Sequence, residues 1–282
     1  MMTPTRRWWS LLLPLLTLAG ALYVVSREPA DGTLVRFALY RPSAAQFYLD
    51  RGTAPGGSVE FAHDAMDTVP FGAPGDVGLA CPQRDREDPN GYRVFVRGLW
   101  FLTGISNRPL QGDLALGAPG DLPFCADFDG DGRADSGSFR DGVWSIATHR
   151  SGRDADIRFS FGKAGDRPVT LNVASAGNAT DRQGVVYGVY RQGQWFLDTK
   201  GSGAVDATHS FGGLPGDVPL LVPHWSAEAR AGAYSLAIFR DGTWFIKPEP
   251  DGTRTLSFGF GQAGDLPGFV YQRQRDGQAR AN

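Results

Sequence analysis

The sequence predicts an all-β fold, a five-bladed β-propeller in which each blade has four antiparallel strands. Two markers that recur in phase support this prediction. A turn of the form G-x-x-G-D occurs five times, with its aspartates 45, 45, 51 and 48 residues apart, and an aromatic residue precedes each aspartate by 21 to 29 residues. Markers repeating at this period are typical of repeat architectures. The turns are Gly72–Asp76, Gly117–Asp121, Gly162–Asp166, Gly213–Asp217 and Gly261–Asp265, and the aromatic residues are Phe47, Trp100, Trp144, Trp195 and Trp244.

The third repeat illustrates the four strands. Leu122–Ala126 is a short apolar run that suits a buried inner strand. Ser136–Arg140 alternates and ends in arginine, and the two-residue turn Asp141-Gly142 then predicts a hairpin. The third strand begins at Trp144, and Ile157–Phe161 forms the outer strand. The equivalent runs ending in arginine are Tyr92–Arg97, Val185–Arg191 and Tyr234–Arg240.

The two ends of the repeat region complete one blade between them. The last inner strand, Leu266–Tyr271, has no hairpin after it, whereas the first hairpin, Val35–Tyr40 with Gln46–Leu49, has no inner strand before it. We expect these segments to pair and close the ring, which removes an open sheet edge. The predicted domains are therefore a propeller over 33–271 and a polar C-terminal tail over 272–282.

Residues 1–32 differ in character from the repeats. Arg6 and Arg7 precede an uncharged run from Trp8 to Ser26, which predicts a transmembrane or signal helix. We favour an uncleaved signal anchor, and a cleaved signal peptide is the alternative. Either reading places the propeller outside the cytoplasm, in the periplasm or at the cell surface, membrane-anchored or secreted. The net charge of −2 and the lack of a basic stripe argue against a nucleic-acid partner.

The only two cysteines occupy nearly matching positions in neighbouring repeats. Cys81 follows Asp76 by five residues and Cys125 follows Asp121 by four. In an oxidising compartment these residues could form a disulfide between adjacent strands. Two buried thiols that act as small apolar residues are the other interpretation.

The segment Asp127–Asp135 predicts a calcium site. Carboxylates stand at its positions 1, 3, 5 and 9 and a glycine at position 6, a pattern that converges oxygen ligands on Ca²⁺. Position 12 is Ser138 and the context is strand–loop–strand, so the segment is not an EF-hand. A solvated acidic loop is the alternative. The predicted ligands are the side chains of Asp127, Asp129, Asp131 and Asp135 and the carbonyl of Arg133.

These residues carry a family resemblance. The run from Gly120 to Trp144, with its D-F-D-G-D-G segment, resembles the FG-GAP/VCBS-type repeat, as do the pairs Phe71-Gly72, Phe161-Gly162 and Phe260-Gly261. The resemblance covers about residues 33–271. It implies propeller blades, calcium in the acidic loop, and a role in adhesion or binding. Only one of the five repeats keeps the acidic ligands, because Pro82, Asn172, Pro223 and Tyr271 stand at the position of Asp127 in the others.

Two function classes remain. The first is a non-catalytic, monomeric binding or scaffold module that is held at the membrane by its N-terminal helix and has a protein or glycan ligand of the cell envelope. Its candidate binding segments are Pro82–Gly91, Ser175–Gly184 and Ser226–Gly232, which interrupt the repeat. The alternative is a glycan-acting protein, either a lectin or an arabinanase-like glycoside hydrolase with carboxylates in the central funnel. We expect the repeated aspartates to cap turns and the tryptophans to pack between blades, because an active site is normally singular.

Overall fold

The computed structural model describes residues 33–50, 66–82, 90–103, 114–148, 154–173, 184–224, 233–248 and 250–273. These residues form twenty β-strands and no helix, so none of the described segments is a helix that could cross a membrane. The predicted helix in residues 1–32 and the end of the predicted tail, from residue 274, lie outside this part of the chain.

The strands form five antiparallel sheets of four strands, which confirms the predicted five-bladed propeller. From the inner to the outer strand, blade 1 consists of β20 (Leu266–Arg273), β1 (Thr33–Arg41), β2 (Gln46–Asp50) and β3 (Met66–Pro70). In the same order, blade 2 consists of β4 (Val77–Pro82), β5 (Asn90–Val96), β6 (Leu99–Thr103) and β7 (Leu114–Ala115). Blade 3 consists of β8 (Leu122–Ala126), β9 (Asp135–Arg140), β10 (Val143–Ala147) and β11 (Ile157–Ser160). Blade 4 consists of β12 (Arg167–Asn172), β13 (Val185–Arg191), β14 (Gln194–Asp198) and β15 (Ala207–Ser210). Blade 5 consists of β16 (Val218–Pro223), β17 (Tyr234–Arg240), β18 (Thr243–Lys247) and β19 (Leu256–Gly259).

The inner strands pack in a circle around the centre of the molecule. Strand β20 contacts β4, β4 contacts β8, β8 contacts β12, β12 contacts β16, and β16 contacts β20. Within blade 1, β20 runs antiparallel to β1, with Arg273 opposite Thr33 and Leu266 opposite Tyr40. Blade 1 is therefore assembled from the first and last strands that the structure describes.

The repeated tryptophans are core residues. Trp100, Trp144, Trp195 and Trp244 are each 0% exposed, and Phe47 takes their place in blade 1. Each indole Nε1 donates a hydrogen bond of 2.9–3.1 Å to the carbonyl that precedes the next G-x-x-G-D turn. The acceptors are Leu116, Phe161, Phe211 and Phe260. One side chain thus fixes both the packing of the blade and the position of its last turn.

The five repeated aspartates cap turns. In each G-x-x-G-D segment, the aspartate Oδ2 accepts a hydrogen bond of 2.7–3.0 Å from the backbone N–H three residues before it. The glycines adopt positive φ, as at Gly72 (+95°) and Gly75 (+93°), where a side chain would strain the backbone. In blade 4 the turn has one extra residue: Gly212, and not the predicted Gly213, takes the place that Gly162 has in blade 3, with Asp217 Oδ2 against it.

An arginine at the end of the second strand binds the capping aspartate that directly precedes the inner strand of the same blade. We call these residues the strand-end arginines; they are Arg41 with Asp265, Arg140 with Asp121, Arg191 with Asp166, and Arg240 with Asp217. Blade 2 departs from this rule. The predicted equivalent, Arg97, lies in the hairpin turn with φ +52°, and Val96 occupies the end of β5.

A disulfide joins Cys81 on β4 to Cys125 on β8, with their Cα atoms 5.8 Å apart. Of the two interpretations that the sequence left open, the bonded one is correct. The bond connects the inner strands of blades 2 and 3, which already lie side by side.

The antiparallel order places two kinds of connection at opposite rims. One rim, the turn rim, carries the G-x-x-G-D turns and the two-residue hairpins between second and third strands. The other, the loop rim, carries the connections between first and second strands and between third and fourth strands. The acidic loop between β8 and β9 therefore belongs to the loop rim. The candidate binding segments predicted from the sequence join strands at the same rim, but they lie almost entirely outside the described residues.

A buried tyrosine in the core is expected to make the stability of the protein depend on alkaline pH. The Tyr40 hydroxyl is buried and has no hydrogen-bond partner among the described residues. Burial, reinforced by the Asp76 carboxylate, raises the pKa of Tyr40 to about 12. The unfolded chain therefore loses this proton first, so stability should fall as the pH rises from about 10 to about 12.

We expect Tyr40→Phe to remove part of this loss and to leave stability at neutral pH unchanged or slightly higher, because the unpartnered hydroxyl is deleted. Tyr190→Phe is the matched control. The Tyr190 hydroxyl bonds both Asp217 and the Gly213 N–H, so its removal should cost about 1 kcal/mol. Denaturant unfolding at several pH values measures both variants, and an equal loss of stability in the two at neutral pH would contradict this account.

Candidate metal centre

Three of the predicted calcium ligands come together in the acidic loop. Asp127, Asp129 and Asp135 each offer a carboxylate oxygen, and these atoms lie within 4.8 Å of one another. They form the one such group of three or more His, Cys, Asp or Glu residues in the described part of the chain. Carboxylate oxygens clustered on a tight loop are the donor set that a hard divalent cation prefers.

Backbone geometry produces this convergence. The Asp131 N–H donates to Asp127 Oδ1 at 3.0 Å and to Asp129 Oδ1 at 3.1 Å, while the Gly132 N–H donates to Asp127 Oδ2 at 2.9 Å. Gly130 and Gly132 adopt φ of +74° and +91°. Glycine permits these angles, and they fold the loop back over the Asp127 carboxylate.

The other two predicted ligands, the Asp131 carboxylate and the Arg133 carbonyl, are not part of this group of converging carboxylates. The Asp131 carboxylate accepts a hydrogen bond from the Arg133 N–H at 2.9 Å and is not one of the three converging groups. The Asp131 carboxylate and the Arg133 carbonyl therefore remain predicted ligands.

The electrostatics of the loop favour a bound cation. Burial raises the pKa of the Asp127 carboxyl, and repulsion from Asp131 adds to this effect, whereas backbone N–H groups oppose it. Asp135 is 1% exposed, and its Oδ2 accepts the Phe128 N–H at 2.7 Å. Several carboxylates gathered in a half-buried loop repel each other unless positive charge is nearby.

Arg93 of blade 2 supplies one such charge, and the sequence reasoning missed it. Its guanidinium is buried and donates to the Ala134 carbonyl and the Ser136 hydroxyl, where the loop joins β9. Burial lowers the pKa of Arg93 to about 10, and attraction to Asp135 partly offsets this. Strand pairing aligns Arg93 with Ala38, Gly137, Gly188 and Ala237 in the other blades. The sequence signal that could have identified Arg93 is a large, charged side chain at a position where the other four blades have glycine or alanine.

The loop also contacts blade 4. The Asp127 N–H donates to Asn172 Oδ1 at 2.9 Å, and the Phe128 ring lies 6.2 Å from the Tyr187 ring. The Tyr187 hydroxyl in turn donates to Asp198 at 2.7 Å. The acidic loop of blade 3 is thus bonded to both neighbouring blades, through Arg93 on one side and through Asn172 and Tyr187 on the other.

The Asp198 loop provides a contrast within the same molecule. Burial alone would raise the pKa of Asp198, but the Tyr187 hydroxyl and backbone N–H groups bond to the carboxylate and lower it. The backbone donors are Lys200, Ser202 and Gly203. Four hydrogen bonds, three from the loop backbone and one from Tyr187, therefore satisfy the Asp198 carboxylate. This loop folds like the Asp127 loop but lacks the further carboxylates that converge there.

The glycan-acting alternative requires carboxylates in the central funnel, which the inner strands surround. Strands β4, β8, β12, β16 and β20 contain no aspartate or glutamate. The capping aspartates, which a catalytic reading could have used, are engaged by backbone N–H groups and, in four blades, by strand-end arginines. No observation in the described residues favours the glycan-acting class.

Comparison with known proteins supplies no family. No protein-family model matches the chain, and no curated protein matches it either. Similar solved structures include two of BBS1N in complex with ARL6DN, soaked with lead (8% identity, TM-score 0.39, 64% of this chain and 55% of that chain) and with mercury (12%, 0.38, 73% and 59%). A third is the dihydro-heme d1 dehydrogenase NirN in complex with DHE (11%, 0.33, 84% and 46%). The chain spans about half the length of these structures, and at such TM-scores they carry no argument about what it does.

Proposed function

We propose that this chain is a non-catalytic, extracytoplasmic binding or scaffold module, a monomeric propeller stabilised by one structural calcium ion. Asp127, Asp129 and Asp135 would hold the ion, with Asp131 and the Arg133 carbonyl completing its oxygen ligands. The N-terminal helix would hold the propeller at the membrane. The resemblance to FG-GAP/VCBS-type repeats agrees with this proposal.

The observation that carries the proposal is the position of the acidic loop. It joins β8 to β9 and bonds to blades 2 and 4, so an ion in it would stabilise three adjacent blades at once. A calcium ion here would act on the rigidity of the ring and not on a reacting substrate. A rigid ring that presents loops and grooves is a common scaffold for binding.

Two further observations support the proposed location outside the cytoplasm and the proposed binding role. The Cys81–Cys125 disulfide fits an oxidising compartment, as expected for an extracytoplasmic protein. The repeated aspartates and tryptophans are engaged in turn capping and packing, which leaves the departures from the repeat as the places where a specific partner would bind.

Partner retention as a function of temperature tests the proposal. The purified full-length protein is immobilised, exposed to solubilised native membranes, and washed with calcium or with a chelator. We expect a retained partner in both washes in the cold, and loss of that partner on chelation only at temperatures where the calcium-free protein unfolds. Calcium at about a hundred times its Kd should raise the Tm by roughly 5–10 °C.

Three outcomes would contradict the proposal. Absence of any retained partner would remove the binding role. Loss of the partner on chelation in the cold, with circular dichroism unchanged, would place calcium at the interface and not in a structural position. Hydrolysis of envelope glycan by the purified protein would assign it to the glycan-acting class.

A further inference from the structure

Three strand-end arginines have an aromatic ring beneath them. The guanidinium carbon of Arg41 lies 4.4 Å from the Tyr48 ring centroid. Arg191 lies 4.8 Å from Phe196, and Arg240 lies 5.2 Å from Phe245. Each ring belongs to the third residue of the third strand of its blade. The propeller thus repeats a stack of arginine on aromatic at the same place in blades 1, 4 and 5.

Blade 3 has the arginine without the ring. Arg140 binds Asp121 and the Pro119 carbonyl as a strand-end arginine should, but the aromatic position holds Ser145. No ring in the described part of the chain lies over Arg140. Its side chain is 51% exposed, against 23% for Arg41, 33% for Arg191 and 23% for Arg240. The face of its guanidinium is therefore available.

Two further residues of blade 3 differ from their equivalents in the blades that keep the stack, and a groove lies beside Arg140. Ser138 stands where Leu39, Val189 and Ile238 stand in the blades that keep the stack. Arg158 pairs with Ser145, at the position of Thr68, Thr208 and Ser257 in those blades. The result is a groove of about 500 Å³ between blades 2 and 3, bounded on the blade 2 side by Ala115, Leu116 and Gly117.

The chemistry of the groove indicates its occupant. The repeat itself shows that an aromatic ring fits beneath a strand-end arginine, and the groove is large enough for such a ring. Arg158 is exposed, makes no ion pair with another described residue, and lies directly opposite the missing ring. Asp141 also lines the groove, but it lies at the hairpin end, in the turn before Val143. A carboxylate next to the bound ring would pair with Arg158.

We infer that this groove binds an aromatic side chain flanked by an acidic residue on a segment of a partner protein, with the ring on Arg140 and the carboxylate on Arg158. The inference rests on the proposed binding function and names the chemistry of its partner. It places the contact on blade 3, between Arg140 at the end of β9 and Arg158 on β11, and not in the acidic loop between β8 and β9.

A substitution that restores the repeat provides the test. Ser145→Phe puts the ring of the other blades beneath Arg140 and should fill the groove without disturbing the fold. Arg158→Ser restores the residue type of the other blades and removes the carboxylate partner. Arg254→Ser, an exposed arginine of blade 5, is the matched control for charge. The probes are the blocked peptides acetyl-Asp-Tyr-amide and acetyl-Asp-Leu-amide, followed by protein-observed NMR.

We expect the tyrosine peptide to shift resonances around the groove and the leucine peptide to bind about tenfold more weakly. Ser145→Phe should abolish binding, Arg158→Ser should weaken it about tenfold, and Arg254→Ser should leave it unchanged. Equal binding of both peptides, or full binding by Ser145→Phe, would overturn the inference. Binding of free N-acetyl-tyrosine as tight as that of the peptide would overturn the assignment to a protein segment.

The retention experiment separates this inference from the function on which it rests. Loss of the membrane partner in Ser145→Phe, at a temperature where the variant is folded, supports the inference. A partner retained equally by wild type and Ser145→Phe would overturn the groove and leave the binding function standing. If wild-type protein instead dimerises in sedimentation and Ser145→Phe does not, the occupant is a second copy of this chain, and the assignment to a partner is wrong.

Discussion

A chain that ends at Asp265 is expected to lose the cooperative thermal transition of the intact ring. The deletion of residues 266–282 removes β20, which pairs with β1 along eight residues and contacts β4 and β16. Phe269 and Val270 are 5% and 0% exposed, so their loss alone should cost roughly 3–6 kcal/mol. The deletion also exposes an edge of β1 and ends the packing of β20 against β4. We expect a Tm at least about 10 °C lower, or no folded state.

A shorter deletion is the control. A chain that ends at Arg273 keeps all of β20 and removes only residues 274–282, and it should melt like the full-length protein. A synthetic peptide of residues 266–273, added to the longer deletion, should restore part of the stability by re-forming the β1 edge pair. If the chain ending at Asp265 melted like the full-length protein, the stabilising role of the paired ends would be wrong.

Reduction of the disulfide is expected to have the next largest effect. Cys81 and Cys125 are 44 residues apart in sequence, and cross-linking over such a distance contributes about 4 kcal/mol by loss of unfolded-chain entropy. The bond also connects blades 2 and 3, the pair whose outer groove is open and whose β7 strand has only two residues. Reduced protein should therefore melt roughly 5–15 °C lower.

The double variant Cys81→Ala/Cys125→Ala supplies the control. It should melt near the reduced wild type and show no further change with reductant. Thiol titration of unfolded, non-reduced wild type should find no free thiol. Equal melting of wild type with and without reductant would contradict the expected contribution of this bond.

The sequence could predict the fold because its markers are local and repeat in phase. A G-x-x-G-D turn and a tryptophan define one blade without reference to any other blade, and counting them gives the ring. The structure explains the repetition. Asp166, for example, caps its own turn and binds Arg191, while Trp144 bonds the carbonyl of Phe161 within the same blade. The acidic loop was visible for the same reason, since its ligands are close in sequence.

Features that depend on register across blades were harder to predict. Arg97 resembles the other strand-end arginines in sequence, but one residue of shift places it in the turn and leaves Val96 at the end of the strand. Arg93 belongs to the acidic loop only through space, because blades 2 and 3 pack together. Ser145 becomes informative only when strand pairing aligns it with Tyr48, Phe196 and Phe245. Such departures from a repeat can be recognised only when the register of its strands is known.

Arg97 and Phe101 show the consequence of that shift. With Val96 in place of the arginine, the Phe101 ring of blade 2 is left 38% exposed, beside Leu99 at 42%. Blade 2 therefore has the ring without the arginine, and blade 3 has the arginine without the ring. The two departures stand on neighbouring blades, the same two blades that the disulfide connects.

Calorimetric titration of calcium tests the central claim most directly. Full-length protein stripped with a chelator is titrated with Ca²⁺, alongside Asp129→Asn and the control Asp241→Asn. Asparagine at position 129 keeps an oxygen for the Asp131 N–H but loses a negative ligand, whereas Asp241 lies in an exposed hairpin turn whose conformation asparagine tolerates. We predict about one equivalent of calcium for wild type and for Asp241→Asn, with binding at least about tenfold weaker in Asp129→Asn. No binding by wild type, or equal binding by Asp129→Asn, would contradict a calcium site in the loop that joins the three blades.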